Sequence, residues 1–111
     1  MKFKLNEVYN AKVIEFKGKL KGGPDAEDFH KTIQSFLDEG IKNVIIDMSD
    51  VSFVDSAGLG ILVRGYTTLK NAGGEMKLAA ISNKVSGVLA ITKLNSVFEQ
   101  YPSVEEASKS F

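Results

Sequence analysis

The segment from residue 43 to residue 63 constrains the fold more than any other part of the chain. Val44, Ile45 and Ile46 form a continuous β-branched run, which is typical of a strand covered on both faces in a sheet with crossover helices. The polar stretch from Asp47 to Asp55 is expected to be the loop that follows this strand. A helix is predicted next, because apolar residues recur there at helical spacing. The apolar stripe of this helix consists of Leu59, Leu62, Val63, Tyr66 and Leu69.

Asp55 or Ser56 is predicted to cap this helix, because either side-chain oxygen can accept a hydrogen bond from an unpaired N–H group of the first turn. A serine hydroxyl is therefore expected at a strand-to-helix corner. Gly58, Gly60 and Gly65 lie in the same helix, where each costs about 1 kcal/mol relative to alanine. Close packing of helix against strand is one explanation. For Gly58 and Gly60, which lie beside the serine, the alternative is that another chain approaches the backbone closely.

The remaining segments predict a mixed sheet with further helices. Alternating residues over 1–5 and, in part, 13–17 indicate an antiparallel hairpin with Asn10 between its strands. A first helix should begin at Pro24, with Asp25 in its negatively charged first turn, and end at Gly40. Toward the C-terminus we predict a strand over residues 76–81, a helix capped by Ser82 or Asn83, an edge strand at residues 97–98 and a helix capped by Ser103.

These elements predict one α/β domain over residues 1–111, with a mixed sheet of four to five strands packed against about four helices. Fourteen basic and fourteen acidic residues balance without a block of like charge, so direct binding to nucleic acid is not expected. No apolar run approaches the length of a membrane span, and no signal peptide is recognisable. We therefore expect a cytoplasmic protein.

The residues that most enzymes need are missing. There is no cysteine, and the single histidine, His30, is expected on a solvated helix face. Val54 occupies the position where a nucleophile elbow has glycine, and no phosphate-binding loop is present. Asp47, Asp50 and Asp55 could together hold a magnesium ion, but one capping carboxylate and two solvated ones is the simpler interpretation. We predict no catalysis, no cofactor and no metal.

The sequence Val-Asp-Ser-Ala-Gly-Leu-Gly at 54–60, after Asn-Val-Ile-Ile-Asp-Met-Ser-Asp-Val at 43–51, resembles the signature of the STAS family, the anti-sigma factor antagonists. The predicted order of strands and helices is similar to that family over nearly the whole chain. The resemblance implies that Ser56 is a phosphoacceptor and that Asp55 is its motif neighbour. Together with Gly58 and Gly60, these residues are expected to bind the partner.

One loop departs from the pattern of the family. Many members have an aspartate directly after the Gly-x-Leu that closes the second strand, whereas here residues 18–20 are followed by Lys21 to Pro24 before Asp25. In the family this loop flanks the partner-binding face. Asp25 is therefore the residue expected to serve as the partner-binding aspartate, after a short insertion.

The resemblance also implies a mechanism. The unphosphorylated protein binds an anti-sigma factor that is also a serine kinase and so frees the sigma factor, phosphorylation of Ser56 ends the binding, and a serine phosphatase resets the switch. Two alternatives stay open: Ser56 is a plain helix cap that is never modified, or the chain is a STAS-like scaffold subunit of a signalling assembly or an accessory of a transport system.

Overall fold

A computed structural model describes residues 2–8 and 10–111, without the side chains at positions 2, 24 and 25. It confirms the predicted α/β architecture. A short 3-10 turn, Leu94–Ser96, precedes the last strand. The other elements are β1 (Lys2–Val8), β2 (Ala11–Leu20), α1 (Pro24–Asp38), β3 (Asn43–Val54), α2 (Ser56–Asn71), β4 (Glu75–Ala79), α3 (Asn83–Ile91), β5 (Glu99–Tyr101) and α4 (Val104–Lys109).

The five strands form one mixed sheet in the spatial order β1-β2-β3-β4-β5. The predicted hairpin is present, because β1 and β2 are antiparallel, while the pairs β2–β3, β3–β4 and β4–β5 are parallel. The strand that contains Val44, Ile45 and Ile46 is the central one, as predicted. All three side chains are fully buried, which explains why the run is uniformly apolar.

Each face of the sheet has its own core. Val44 and Ile46 point into the larger core, which α1, α2 and α3 cover with side chains such as Phe29, Leu62 and Leu89. Ile45 points to the opposite face, where a small cluster contains Ala107 of α4. The alternation of neighbouring side chains between the two faces is the ordinary period of a strand. The C-terminal helix that the capping box predicts is present, and it packs on this face of the sheet.

The polar stretch after Ile46 was predicted to be a loop, and that prediction is wrong. β3 continues to Val54 and pairs with β2 along this extension, where Asp50 lies opposite Lys17 and Val54 opposite Leu20. The side chains of Met48, Val51 and Val54 are buried, while polar residues between them face solvent. The extension is a half-buried strand whose polar residues resemble those of a loop. Only Asp55 separates β3 from α2.

The ends of two other strands also differ from prediction. β5 spans Glu99–Tyr101 rather than residues 97–98, because the N–H groups of Val97 and Phe98 both bond to the carbonyl of Leu94 and close the preceding turn. β4 stops at Ala79, because Ala80 has a positive φ of 57°. Several predicted helix ends are confirmed: Ser82 caps α3 and Ser103 caps α4 through side-chain hydrogen bonds. Gly40 follows α1 with a φ of 80°.

A buried lysine connects β4 to the C-terminal residues. The side chain of Lys77 is only 3% exposed, and its Nζ donates hydrogen bonds to the carbonyl oxygen (3.1 Å) and the hydroxyl oxygen (2.7 Å) of Ser110. Nζ also lies 3.6 Å from a carboxylate oxygen of Glu99 and 4.4 Å from the ring centre of Phe111. These contacts satisfy a charge that would be costly to bury alone.

None of the helices in the described ranges combines the length and the apolarity needed to span a bilayer.

Candidate functional site

The corner between β3 and α2 is held by Asp55. Its carboxylate Oδ1 accepts a hydrogen bond of 2.8 Å from the backbone N–H of Gly58, which is the bond expected of an N-cap residue. Its own N–H donates to the carbonyl oxygen of Leu20 at 3.3 Å, so the corner is also tied to the end of β2. Of the two caps that the sequence allowed, Asp55 is the one used.

Ser56 is the first residue of α2 and is exposed. Because Asp55 carries the cap, the hydroxyl of Ser56 has no structural task in this corner, and it makes no hydrogen bond with the described residues. Its Oγ lies at the positive end of a sixteen-residue helix, where backbone N–H groups and the helix dipole favour negative charge. The position can therefore receive an anionic group without a change in the fold.

The three helix glycines have different explanations. A methyl group on Gly58 would overlap the carbonyl oxygen of Leu20, and one on Gly65 would lie 2.6 Å from the ring of Phe29. Packing within this chain thus accounts for both glycines. For Gly58, it is the first of the two explanations that the sequence allowed. A methyl group on Gly60 would meet no atom within 4 Å. Gly60 is exposed, and close packing does not explain it.

The loop that departs from the family pattern lies against the first turn of α2. A methyl group on Gly22 would come within 2.8 Å of the Cβ atom of Ala57, so this part of the loop must pass close to the residue after Ser56. Asp25 is the second residue of α1. Its side chain lies outside the described part of the structure, so its role in partner binding stays a prediction. The structure therefore brings together Asp55, Ser56, Gly58, Gly60 and the loop.

Phe53 and Arg64 lie near the corner and were not assigned to the site from the sequence. Phe53 is partly exposed at the end of β3, and the Nζ atom of Lys84, from the first turn of α3, lies 5.7 Å from its ring centre. Arg64, one turn beyond Gly60, lines a groove between α1 and α2. The only sequence signal for Arg64 is its helical spacing of four from Gly60.

Asp47, Asp50 and Asp55 are not grouped as ligands of a metal ion. Asp47 accepts a hydrogen bond of 2.9 Å from the N–H of Ser49, Asp50 is exposed, and Asp55 caps α2. Among the residues that the structure describes, no three histidine, cysteine or acidic side chains are grouped to hold a metal ion. His30 differs from prediction: it is partly buried, and its Nδ1 is shielded from solvent without a hydrogen-bond partner in the described ranges.

Fold and site together define a class: a mixed-sheet α/β domain with an exposed serine at the first residue of the helix that follows the central strand. The model of the STAS domain family matches residues 2–107. The chain belongs to the STAS domain family.

Several similar proteins are named anti-sigma factor antagonists. A candidate anti-sigma factor antagonist of Thermotoga maritima is 32% identical over 72 residues, which are 65% of this chain and 64% of that protein. The matched region is thus less than two thirds of that relative's length. The anti-sigma-B factor antagonist of Bacillus subtilis is 35% identical over 54 residues, 49% of this chain and 50% of the relative.

Solved structures share the fold over nearly the whole chain. The crystal structure of a candidate anti-sigma factor antagonist from Thermotoga maritima has a TM-score of 0.84 and 27% identity, covering 97% of this chain and 92% of the other. The antagonist SpoIIAA is similar in its unphosphorylated form, with a TM-score of 0.72 and 21% identity over 98% of this chain and 96% of that one. Its phosphorylated form gives 0.76 and 23%, over 98% of both chains. The SpoIIAA comparison shows the fold alone.

Proposed function

We propose that this chain is an anti-sigma factor antagonist that acts as a phosphorylation-controlled switch. The unphosphorylated form binds an anti-sigma factor that is also a serine kinase, and the sigma factor is released. The kinase then transfers the γ-phosphoryl group of ATP to Oγ of Ser56, with loss of the hydroxyl proton and departure of ADP, and binding ends. A serine phosphatase hydrolyses the phosphoester with water and restores the hydroxyl. The chain needs no catalytic group or cofactor of its own.

The observation that carries this proposal is that Asp55, and not Ser56, caps α2, while Ser56 is exposed. The hydroxyl of Ser56 can therefore be modified without loss of the helix cap. A phosphate brings about −1.5 to −2 charges at pH 7, and a helix N-terminus tolerates such a charge. The protein should therefore keep its fold in both states, which a reversible switch requires.

The physical reason for release is electrostatic. A partner surface that matches a neutral hydroxyl would, after phosphorylation, face a concentrated negative charge beside the carboxylate of Asp55. Like charges brought together in an interface cost several kcal/mol. A cost of about 3 kcal/mol weakens binding about a hundredfold. The names of the relatives support the assignment of the chain as an anti-sigma factor antagonist.

A phosphorylation assay tests the proposal. The purified chain is incubated with ATP and the anti-sigma factor kinase of its own organism, and intact mass is measured before and after phosphatase treatment. We expect one phosphate on the wild type, none on Ser56→Ala, and one on Ser52→Ala. Ser52 is a matched control because it is also an exposed serine, near the end of β3. Phosphorylation of Ser56→Ala to the wild-type extent would contradict the assignment.

A further inference from the structure

A groove between α1 and α2 opens beside the candidate phosphorylation site. Its volume is about 220 Å³. Four of the residues that line it have no side chain larger than a methyl group: Gly22, Ala26, Ala57 and Gly60. Ala57 directly follows Ser56, so a group that fills the groove lies next to the serine.

The walls of the groove are apolar and its rim carries a cation. Phe29 and Ile61 are 1% and 5% exposed, whereas the side chain of Arg64 is 51% exposed. Among the side chains that the structure describes, the nearest carboxylate oxygen, on Glu27, lies 3.8 Å from Nη1 of Arg64, which is longer than a hydrogen bond. The guanidinium donates no hydrogen bond to any described residue. It is therefore available to a second carboxylate, which it can bind through two parallel hydrogen bonds.

Gly60 is the residue in this groove that the chain itself does not explain. Neighbouring atoms require glycine at positions 58 and 65, but a methyl group on Gly60 would meet open space. Glycine in a helix interior is unfavourable relative to alanine. A glycine that is not needed for internal packing lets another chain approach the helix backbone closely.

We propose that this groove receives an apolar side chain of the anti-sigma factor, and that a carboxylate beside that side chain binds Arg64. The proposal rests on the proposed function, for which it specifies a contact. Pockets for small molecules occupy about 300–1,000 Å³, so this groove is too small for a typical cofactor. A single buried side chain seated in a pocket near the centre of an interface is the usual form of a binding hot spot.

The position of the groove also connects it to regulation. A partner side chain held against Ala57 and Gly60 brings the partner surface over the first turn of α2, where Ser56 is exposed. Arg64 lies eight residues after Ser56, so the two backbone positions are about 12 Å apart along the helix axis. A phosphate on Ser56 would add negative charge to the surface that faces an acidic partner and would weaken its binding.

The test is calorimetric titration of unphosphorylated variants with the purified anti-sigma factor of the same organism, in the absence of ATP. Gly60→Leu fills the groove, and Arg64→Glu reverses the charge at its rim. Gly87→Leu is the matched control for the first variant, because Gly87 is also a helix glycine with open space around it. Lys109→Glu is the control for the second, because it makes the same change in charge on α4, across the sheet from the groove. Circular dichroism melting establishes that each variant folds.

We expect Gly60→Leu and Arg64→Glu to bind at least about tenfold more weakly than the wild type, and both controls to bind within about twofold of it. Wild-type affinity in folded Gly60→Leu would overturn the groove assignment and leave the proposed function standing. Wild-type affinity in Arg64→Glu would overturn the carboxylate contact. If the wild type itself does not bind the anti-sigma factor, both the proposed function and the groove assignment fail.

Discussion

The carboxylate of Asp55 lies 2.8 Å from the backbone nitrogen of Gly58 and accepts its hydrogen bond. One residue thus satisfies an N–H group that the first turn of α2 would otherwise leave unpaired. The same residue donates its own N–H to Leu20 at the end of β2. The geometry of the corner depends on Asp55, and the neighbouring hydroxyl of Ser56 is free of that task.

We expect Asp55→Ala to lower the free energy of unfolding by about 0.5–2 kcal/mol, which is the usual cost of losing a helix cap. Asp50→Ala is the control, because it removes an exposed carboxylate from the same strand-to-helix segment, and its effect should stay within about 0.5 kcal/mol. Urea unfolding at pH 7 measures both. Equal stability of the two variants would show that the cap contributes nothing.

Substitutions at Ser56 should separate stability from binding. Ser56→Ala removes no hydrogen bond to a described residue, so unfolding should change by less than about 0.5 kcal/mol. Ser56→Asp puts a carboxylate in the first turn of α2, where it interacts favourably with the helix dipole by about 0.3–1 kcal/mol. The Ser56→Asp variant should nevertheless bind the anti-sigma factor more weakly than Ser56→Ala, because its carboxylate adds a second negative charge beside Asp55 in the interface.

Thermal melting and calorimetric titration of both Ser56 variants test this ordering. The aspartate carries less charge than a phosphate, so its loss of affinity should be smaller than that of the phosphorylated protein. Wild-type affinity in Ser56→Asp would count against an electrostatic mechanism of release.

The glycines of α2 should respond in opposite directions to the same substitution. Gly58→Ala forces a methyl group against the carbonyl oxygen of Leu20, and the required shift of the backbone should cost about 1–3 kcal/mol. Gly60→Ala meets no atom within 4 Å and should raise stability by up to about 1 kcal/mol, because alanine favours the helix. Gly87→Ala in α3 should behave like Gly60→Ala. Chemical denaturation of the three variants checks the order, and a stable Gly58→Ala would mean that α2 and β2 are not in contact there.

Lys77 should hold α4 in place. Lys77→Met keeps the apolar stem but removes the ammonium group that donates to Ser110 and faces the carboxylate of Glu99. Hydrogen bonds to a charged group contribute about 1.5–3 kcal/mol, so we expect a loss of that size. Hydrogen exchange of α4 should also become faster. Lys109→Met, which removes an exposed lysine of α4 itself, is the control and should leave this exchange unchanged. Unaltered protection of α4 in Lys77→Met would show that Lys77 does not hold this helix in place.

The elements that the sequence predicted well are those with a clear period or a capping signal. The run of Val44, Ile45 and Ile46 predicts a central strand because both of its faces are covered. Pro24 at the start of α1 and Ser103 at the start of α4 mark helix ends through local backbone chemistry. Such signals depend on neighbours in the sequence, so they can be recognised without knowledge of the tertiary structure.

The second half of β3 was predicted wrongly because its exposed positions carry polar residues that are also common in loops. Its pairing with β2 depends on residues far away in the sequence, such as Lys17 opposite Asp50. The role of Gly58 in α2 could not be assigned for a similar reason, since the atom that excludes a side chain there is the carbonyl oxygen of Leu20 in β2. The groove at Arg64 forms only when α1 and α2 pack together. Interactions between distant segments leave no local pattern in a single sequence.

The spatial order of the strands is also their order along the chain, and this has a consequence for the newly made protein. Each strand pairs with the one synthesised just before it, so the sheet can grow as the chain leaves the ribosome. The face that carries Val13 and Ile45, however, is covered by Ala107 of α4, which is made last of these elements. A nascent chain stalled before α4 would expose an apolar sheet face, and surfaces of that kind promote aggregation and recruit chaperones.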